Sequence, residues 1–321
     1  MSAVSPVSEG IAEGTPIAAE QQRGRRPIRL ALRIGVGIAI LVATALVVGL
    51  GPFLRGIAAI SPFPVLAALV LAVIATVAAA WRWRTVATGY GLTLRGRAAF
   101  AAYYRSQFLN AVLPAGVLGD VHRAWAHGRD QGGLGIAARA VAVERILGQT
   151  VQLVLTLVIL LPLGLGSPLA PLVRGAGAIV VAVVVMTAAA ALLPRLRRLL
   201  RQEYALLRPV LARPAALISI IASSVVVVSS HVALFIVASL AVGLPFGGGL
   251  LAVGLVVLAA SAVPLNVGGW GPREAVAGAA CAFVGLGASA GVAASAAFGA
   301  LALIGVLPGA VVLLVERRRT R

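Results

Sequence analysis

Long apolar runs separated by short arginine-bearing stretches set the rhythm of this chain. Six of them, about 30–52, 62–81, 143–165, 174–194, 215–243 and 290–315, come close to or exceed the roughly 20 residues a helix needs to cross bilayer hydrocarbon. Each is therefore predicted to be a full transmembrane helix. The first is too long for the apolar core of a signal peptide and lacks a convincing cleavage site.

Arginine density between the runs assigns the sides, because cytoplasmic loops carry the excess of basic residues. Arg23, Arg25, Arg26, Arg29 and Arg33 precede the first run and place the N-terminus inside. The next loop has only Arg55 and lies outside. Arg82, Arg84, Arg95 and Arg97 follow the second run and lie inside, with Trp81 and Trp83 expected as interfacial anchors. The link 195–213 holds six arginines and lies inside, as does the tail with Arg317, Arg318, Arg319 and Arg321.

Two stretches break the pattern. Residues 98–140 join an apolar half, "AAFAAYYRSQFLNAVLPAG", to a polar one, "LGDVHRAWAHGRDQGG", and both flanks need to be cytoplasmic. Residues 247–287 hold two apolar halves around "SAVPLNVGGWGPREAV", and both flanks need to be outside. Each is expected to be a re-entrant broken hairpin. Pro114, Gly116, Gly119, Pro264, Gly268, Gly269 and Gly271 would supply the breaks, since proline and glycine interrupt a continuous span. Small-residue helix packing is the competing reading of the glycines.

The eight segments fall into two halves, about 30–165 and 174–315. Span starts 30 and 174, 62 and 215, 143 and 290 are offset by 144, 153 and 147. At offset 150, Pro114, Val117, Gly119 and Arg123 match Pro264, Val267, Gly269 and Arg273. Three crossings per half invert the second copy. The expected fold is all-α and polytopic, six full spans plus two re-entrant hairpins in an inverted repeat. Interrupted segments at matching positions point to a midplane site in transporters.

Composition agrees: 60% of residues are hydrophobic, 11% are charged, and the mean hydropathy is +1.04. The net charge of +18 sits between apolar spans, where the positive-inside rule and anionic lipid explain it without nucleic acid. All 27 basic residues are arginine, so no Walker lysine and no Schiff-base lysine exists in the chain. The lone Cys281 offers neither a disulfide framework nor a metal cluster. Residues 1–28 read as a disordered cytoplasmic tail, 29–315 as the membrane domain, and 316–321 as a basic cytoplasmic tail.

The chain has nine acidic residues, and Asp120, Glu144 and Glu274 lie near hydrophobic elements beside Arg123, Arg145 and Arg273. A charge near the bilayer centre is costly, so such residues pair or line a wet cavity. Two readings follow: an arginine-lined pocket for an anionic headgroup, or pairs that merely lock helix ends together. Tyr103, Tyr104, Arg105, Gln107 and Asn110 make the first hairpin's entering helix polar, as a cavity stripe or with Arg105 on lipid phosphate. Ser223, Ser230 and His231 share a helical face and suit polar helix contact. His122 and His127 read as interfacial polar residues. "GASAG" at 287–291 matches a nucleophile pattern without its strand–turn–helix context, and is set aside. Residues 195–213 read as a basic amphipathic helix on the cytoplasmic surface, or as a loop that sets topology.

The blocks "YYRSQFLNAVLPAGVLGDVHRAW", "VERILGQ" and "PLNVGGWGPREAV" resemble those of the lysylphosphatidylglycerol synthase transmembrane-region family, also called flippase-like domain proteins. The likeness runs in block order over most of 30–315. It rests on Asn110, Pro114, Gly119, Asp120 and Arg123, then Glu144 and Arg145, then Gly269, Gly271, Arg273 and Glu274. Leu118 stands where the family often has a glycine. The resemblance implies a lipid flippase for an anionic phospholipid or a lipid-linked sugar, not an enzyme, needing no cofactor and located in the cell membrane. The soluble aminoacyltransferase domain of the full synthases is not expected, since six residues follow Val315. A separate lipid-modifying enzyme or glycosyltransferase is an implied partner. A scaffold or regulator of such an enzyme is the alternative.

Overall fold

A computed structural model describes residues 35–36, 38–113, 116–131, 133–164, 170, 174–175, 189, 192–261 and 270–319. The architecture is all-α. Its helices are α1 (Ile38–Val48), α2 (Gly51–Ala58), α3 (Pro62–Thr88), α4 (Gly96–Val112), α5 (Leu118–Gln131) and α6 (Leu134–Gly164). Then come α7 (Pro194–Leu211), α8 (Pro214–Ala241), α9 (Gly248–Ser261), α10 (Pro272–Phe283), α11 (Ala288–Val306) and α12 (Pro308–Arg319). Prolines open α3, α7, α8 and α10 in the first turn, where a missing N–H costs no intrahelical bond.

Among the described residues four helices are long and apolar enough to cross a membrane: α3, α6, α8, and α11 together with α12. Two departures from the sequence expectation stand out. The run 30–52 is not one straight helix, because α1 and α2 meet at 97° around Gly49. The third run starts earlier than 143: α6 begins at Leu134, after the Gly133 N–H bonds back to the Gly128 carbonyl and ends α5. The expected span 174–194 falls almost entirely outside the described residues, which hold four candidate spans, or five with the bent pair.

Packing falls into two groups. In one, α3 packs on α4 and α6, α4 on α5, and α5 on α6; in the other, α8 packs on α9 and α11, α9 on α10, and α10 on α11. Between them α3 meets α8 and α11, while α6 meets α8 and α9, and α4 meets α11. The largest apolar cluster joins Phe235 of α8, Leu250 and Val253 of α9, Ala277 of α10 and Ala294, Phe298 and Leu301 of α11. Small residues bring these backbones close. A Cβ added at Gly291 would collide with the Ala277 carbonyl, and one at Gly305 would lie 3.0 Å from the Ala68 carbonyl.

Candidate functional site

The first hairpin is pinned by Asn110. Its Oδ1 accepts from the Gly119 N–H at 2.8 Å, and its Nδ2 donates to Asp120 Oδ2 at 3.1 Å. One α4 side chain thus satisfies an orphan donor at the start of α5 and fixes a carboxylate there. The fit is tight, since a Cβ on Gly119 would collide with the Ser106 carbonyl. Gly116, at φ +61, turns the chain between the two arms.

From Asp120 a row of alternating charges runs into the protein. Arg145 Nη2 lies 2.7 Å from Asp120 Oδ2, and Arg123 Nη2 lies 3.0 Å from Asp120 Oδ1 and 3.2 Å from Glu144 Oε2. Arg82 closes the row, donating through Nε and Nη2 to Glu144 Oε1 at 2.9 and 2.6 Å. Three arginines thus share two carboxylates, leaving a formal surplus of one positive charge. Arg123 is fully buried between the Trp83 and Tyr103 rings, 4.5 and 4.2 Å from their centroids, where the ring faces replace water. Tyr103 also donates to Glu144 Oε1 at 3.2 Å.

The start of α10 builds a smaller set with α11. Gly271, at φ +120, lets the chain turn into α10, and its N–H donates to Glu274 Oε2 at 2.6 Å. Arg273 donates to Glu274 Oε1 through Nε and Nη2 at 2.9 and 2.6 Å, and through Nε to Ser295 of α11 at 3.1 Å. The guanidinium lies 5.2 Å from the Trp270 ring and 5.3 Å from that of Phe298.

Both sets reach one cavity of about 550 Å³, whose lining includes Arg82, Asp120 and Arg145 of the first set and Arg273 of the second. Arg123, Glu144 and Glu274 stand behind its wall and hold the lining residues in place. The Arg145 side chain is 40% exposed, and among the described residues its Nε has no hydrogen-bond partner. Further polar groups line it: Gln107, whose Oε1 accepts from Thr76, with Gln149, Gln152 and His231. The arrangement suits a ligand with a negative charge and further hydrogen-bonding groups. Among the described residues no group of three His, Cys, Asp or Glu side chains is placed to hold a metal.

The residues singled out in the sequence meet mixed fates. Asn110, Asp120, Arg123, Glu144, Arg145, Arg273 and Glu274 gather around one cavity, while Pro114, Pro264, Gly268 and Gly269 lie outside the described residues. Glu144 does not pair with its neighbour Arg145. Successive helical residues point about 100° apart, so each takes a different partner, Glu144 reaching Arg82 and Arg123 and Arg145 reaching Asp120. Trp83 is not an interfacial anchor: it is 1% exposed beneath Arg123. Arg105 faces neither cavity nor lipid phosphate but pairs with Glu316 of α12. Ser289 of "GASAG" accepts from Arg55 at 2.6 Å, away from the cavity that His231 lines.

Sequence reasoning missed Arg82, Gln149, Gln152 and Ser295 as site residues. One signal for two of them was present. Arg145, Gly148, Gln149 and Gln152 recur at i, i+3, i+4 and i+7, a polar stripe on an otherwise apolar helix. Arg82 was hidden because it also fits the positive-inside pattern.

Residues 30–309 match the family described as lysylphosphatidylglycerol synthase TM region. No curated protein and no solved structure matches the chain.

Proposed function

We propose, from the premise that this chain belongs to the lysylphosphatidylglycerol synthase TM-region family, that it moves an anionic phospholipid or lipid-linked molecule between membrane leaflets. The observation that carries this reading is the shared cavity, whose lining includes Arg82, Arg145 and Arg273. A headgroup phosphate between them would exchange water for guanidinium donors, which match its oxygens in charge and geometry. Asp120, Glu144 and Glu274 orient those arginines and offset most of their charge, so that the empty site is tolerable in the membrane.

Each arm of the two hairpins is short. The 14 residues of α9 extend roughly 21 Å, less than the roughly 30 Å of bilayer hydrocarbon, which supports re-entrant hairpins rather than spans. The packing supports an inverted repeat. Exchanging α3, α4, α5 and α6 for α8, α9, α10 and α11 maps the pair of α3 with α8 onto itself and every other packing pair named above onto another that is also present. Two such halves can rock about a fixed site and open it to either side. The chain then lies in the cell membrane with both termini cytoplasmic, beside a lipid-modifying enzyme or glycosyltransferase that makes or uses the cargo.

A second reading keeps some support. Arg273 makes its two shortest bonds to its neighbour Glu274, as a purely structural lock would. The chain would then be a scaffold for an envelope lipid enzyme. Reconstitution separates the two. Liposomes with fluorescent anionic lipid in the inner leaflet should lose it faster with the protein than without. Arg145→Ala and Arg273→Ala should slow the loss while the protein stays monodisperse. No acceleration across a panel of anionic lipids and lipid-linked sugars decides for the scaffold.

A further inference from the structure

Helix α7 contributes nothing to the cavity, yet it is firmly attached at one end. Leu207 and Val210 are buried against Val86, Tyr90 and Ile220, at the ends of α3 and α8. Glu203 ties the same half down, accepting from Tyr90 at 2.6 Å and from Arg139 of α6 at 2.5 Å. Burial and that carboxylate push the Tyr90 phenol far above its ordinary range, so it stays a donor.

The other half overhangs. Leu199 and Leu200 are 48% and 40% exposed, and Tyr204 is 62% exposed. At 100° per residue these three lie on the same side as Leu207 and Val210, while Arg197, Arg201 and Arg208 flank that side and Arg198 opposes it. All four arginines are exposed. Glu203 is the only acid in the helix and is used by the inward ties, so the free surface is cationic and apolar. Only Ala212 and Arg213 separate α7 from α8, a helix long enough to cross the membrane. The attached end of α7 therefore sits where a span ends, at the level of the bilayer surface.

We infer that α7 is an anionic-lipid docking helix, its overhanging leucines entering the acyl boundary and its arginines binding lipid phosphates. Charge complementarity and position both favour this occupant. Exposed leucines beside a spanning helix meet acyl chains at once, and each arginine near an anionic surface adds attraction that salt screens. Transport plays no part in the inference, which stands or falls separately from the flippase reading.

The test uses the full chain carrying Tyr204→Cys, labelled with an environment-sensitive fluorophore. The native Cys281 is fully buried and stays unlabelled. The labelled protein goes into nanodiscs of phosphatidylcholine alone or with added phosphatidylglycerol. Emission should shift blue and be quenched by brominated acyl chains, more strongly in the anionic discs. Raised salt, and the triple change Arg197→Gln, Arg198→Gln, Arg201→Gln, should each remove that difference. Water-like emission in both discs, equal quenching in both, or protection that appears only when a soluble acidic protein is added would overturn the inference. The salt titration needs no substitution of the arginines, so the question is answered even if the triple variant fails to fold.

Discussion

The guanidinium of Arg273 lies against Gly299, where an added Cβ would collide with Nη2. Arg82 stands in the same relation to Gly148, whose added Cβ would lie 2.8 Å from its Nη2. In each helix the residue four positions earlier supplies the acceptor, Ser295 for Arg273 and Glu144 for Arg82. Residues four apart share a helix face, so acceptor and glycine together form a seat for a flat cation.

Gly299→Ala should therefore act on Arg273 without changing a charge. The new methyl displaces the guanidinium from Ser295 and Glu274 at an overpacking cost of about 1–3 kcal/mol. Retention of anionic lipid, read by native mass spectrometry, should fall by about tenfold, the equivalent of about 1.4 kcal/mol. Unchanged lipid retention would mean that Arg273 is not part of the site.

Arg145 and Arg123 should separate in behaviour. Arg145→Ala removes a half-exposed cavity residue and should lower lipid transport with little change in thermal stability. Arg123→Ala leaves Asp120 and Glu144 with less counter-charge in a buried place, and breaking such a pair costs about 3–5 kcal/mol. Arg123→Lys should rescue poorly, because an ammonium neither lies flat between two rings nor forks to two carboxylates. A native melting temperature together with lost transport in Arg123→Ala would instead put Arg123 in contact with cargo.

Asn110 offers a paired comparison. Asn110→Ala loses the bonds to Gly119 and Asp120. Asn110→Asp can still accept from the Gly119 N–H but sets a second carboxylate against Asp120. The aspartate variant should be the less stable of the two, by about 1 kcal/mol or more. Thermal unfolding in one detergent compares them directly, and an Asp variant as stable as wild type would contradict the geometry.

Glu316→Gln tests the tether between α12 and α4. Arg105 is buried, but the Glu316 side chain is two-fifths exposed, so the loss should be modest, about 1 kcal/mol or less. Hydrogen exchange should rise along α12 and along α4, which packs on it, while α9 and α10 stay unchanged. A uniform rise would point to global destabilisation instead.

Much of the candidate site could be read from the sequence because charges in hydrocarbon are rare enough to be conspicuous. Asp120, Glu144 and Glu274 stood out for that reason, and the structure gathers all three with their arginines around one cavity. The polar stripe on α6 is equally legible, because its residues recur at helical spacing. The packed position of Trp83 was not, since an indole beside two arginines at the end of an apolar run looks the same whether it faces lipid or the core.

By itself the sequence determined the all-α membrane class, because that follows from local composition: apolar length sets the spans. Only the tertiary structure decided which charge meets which. Glu144 is paired by Arg82, from a helix 62 residues earlier, rather than by adjacent Arg145. A buried ion must find its counter-charge in space, and helix packing fixes that neighbour, not proximity along the chain.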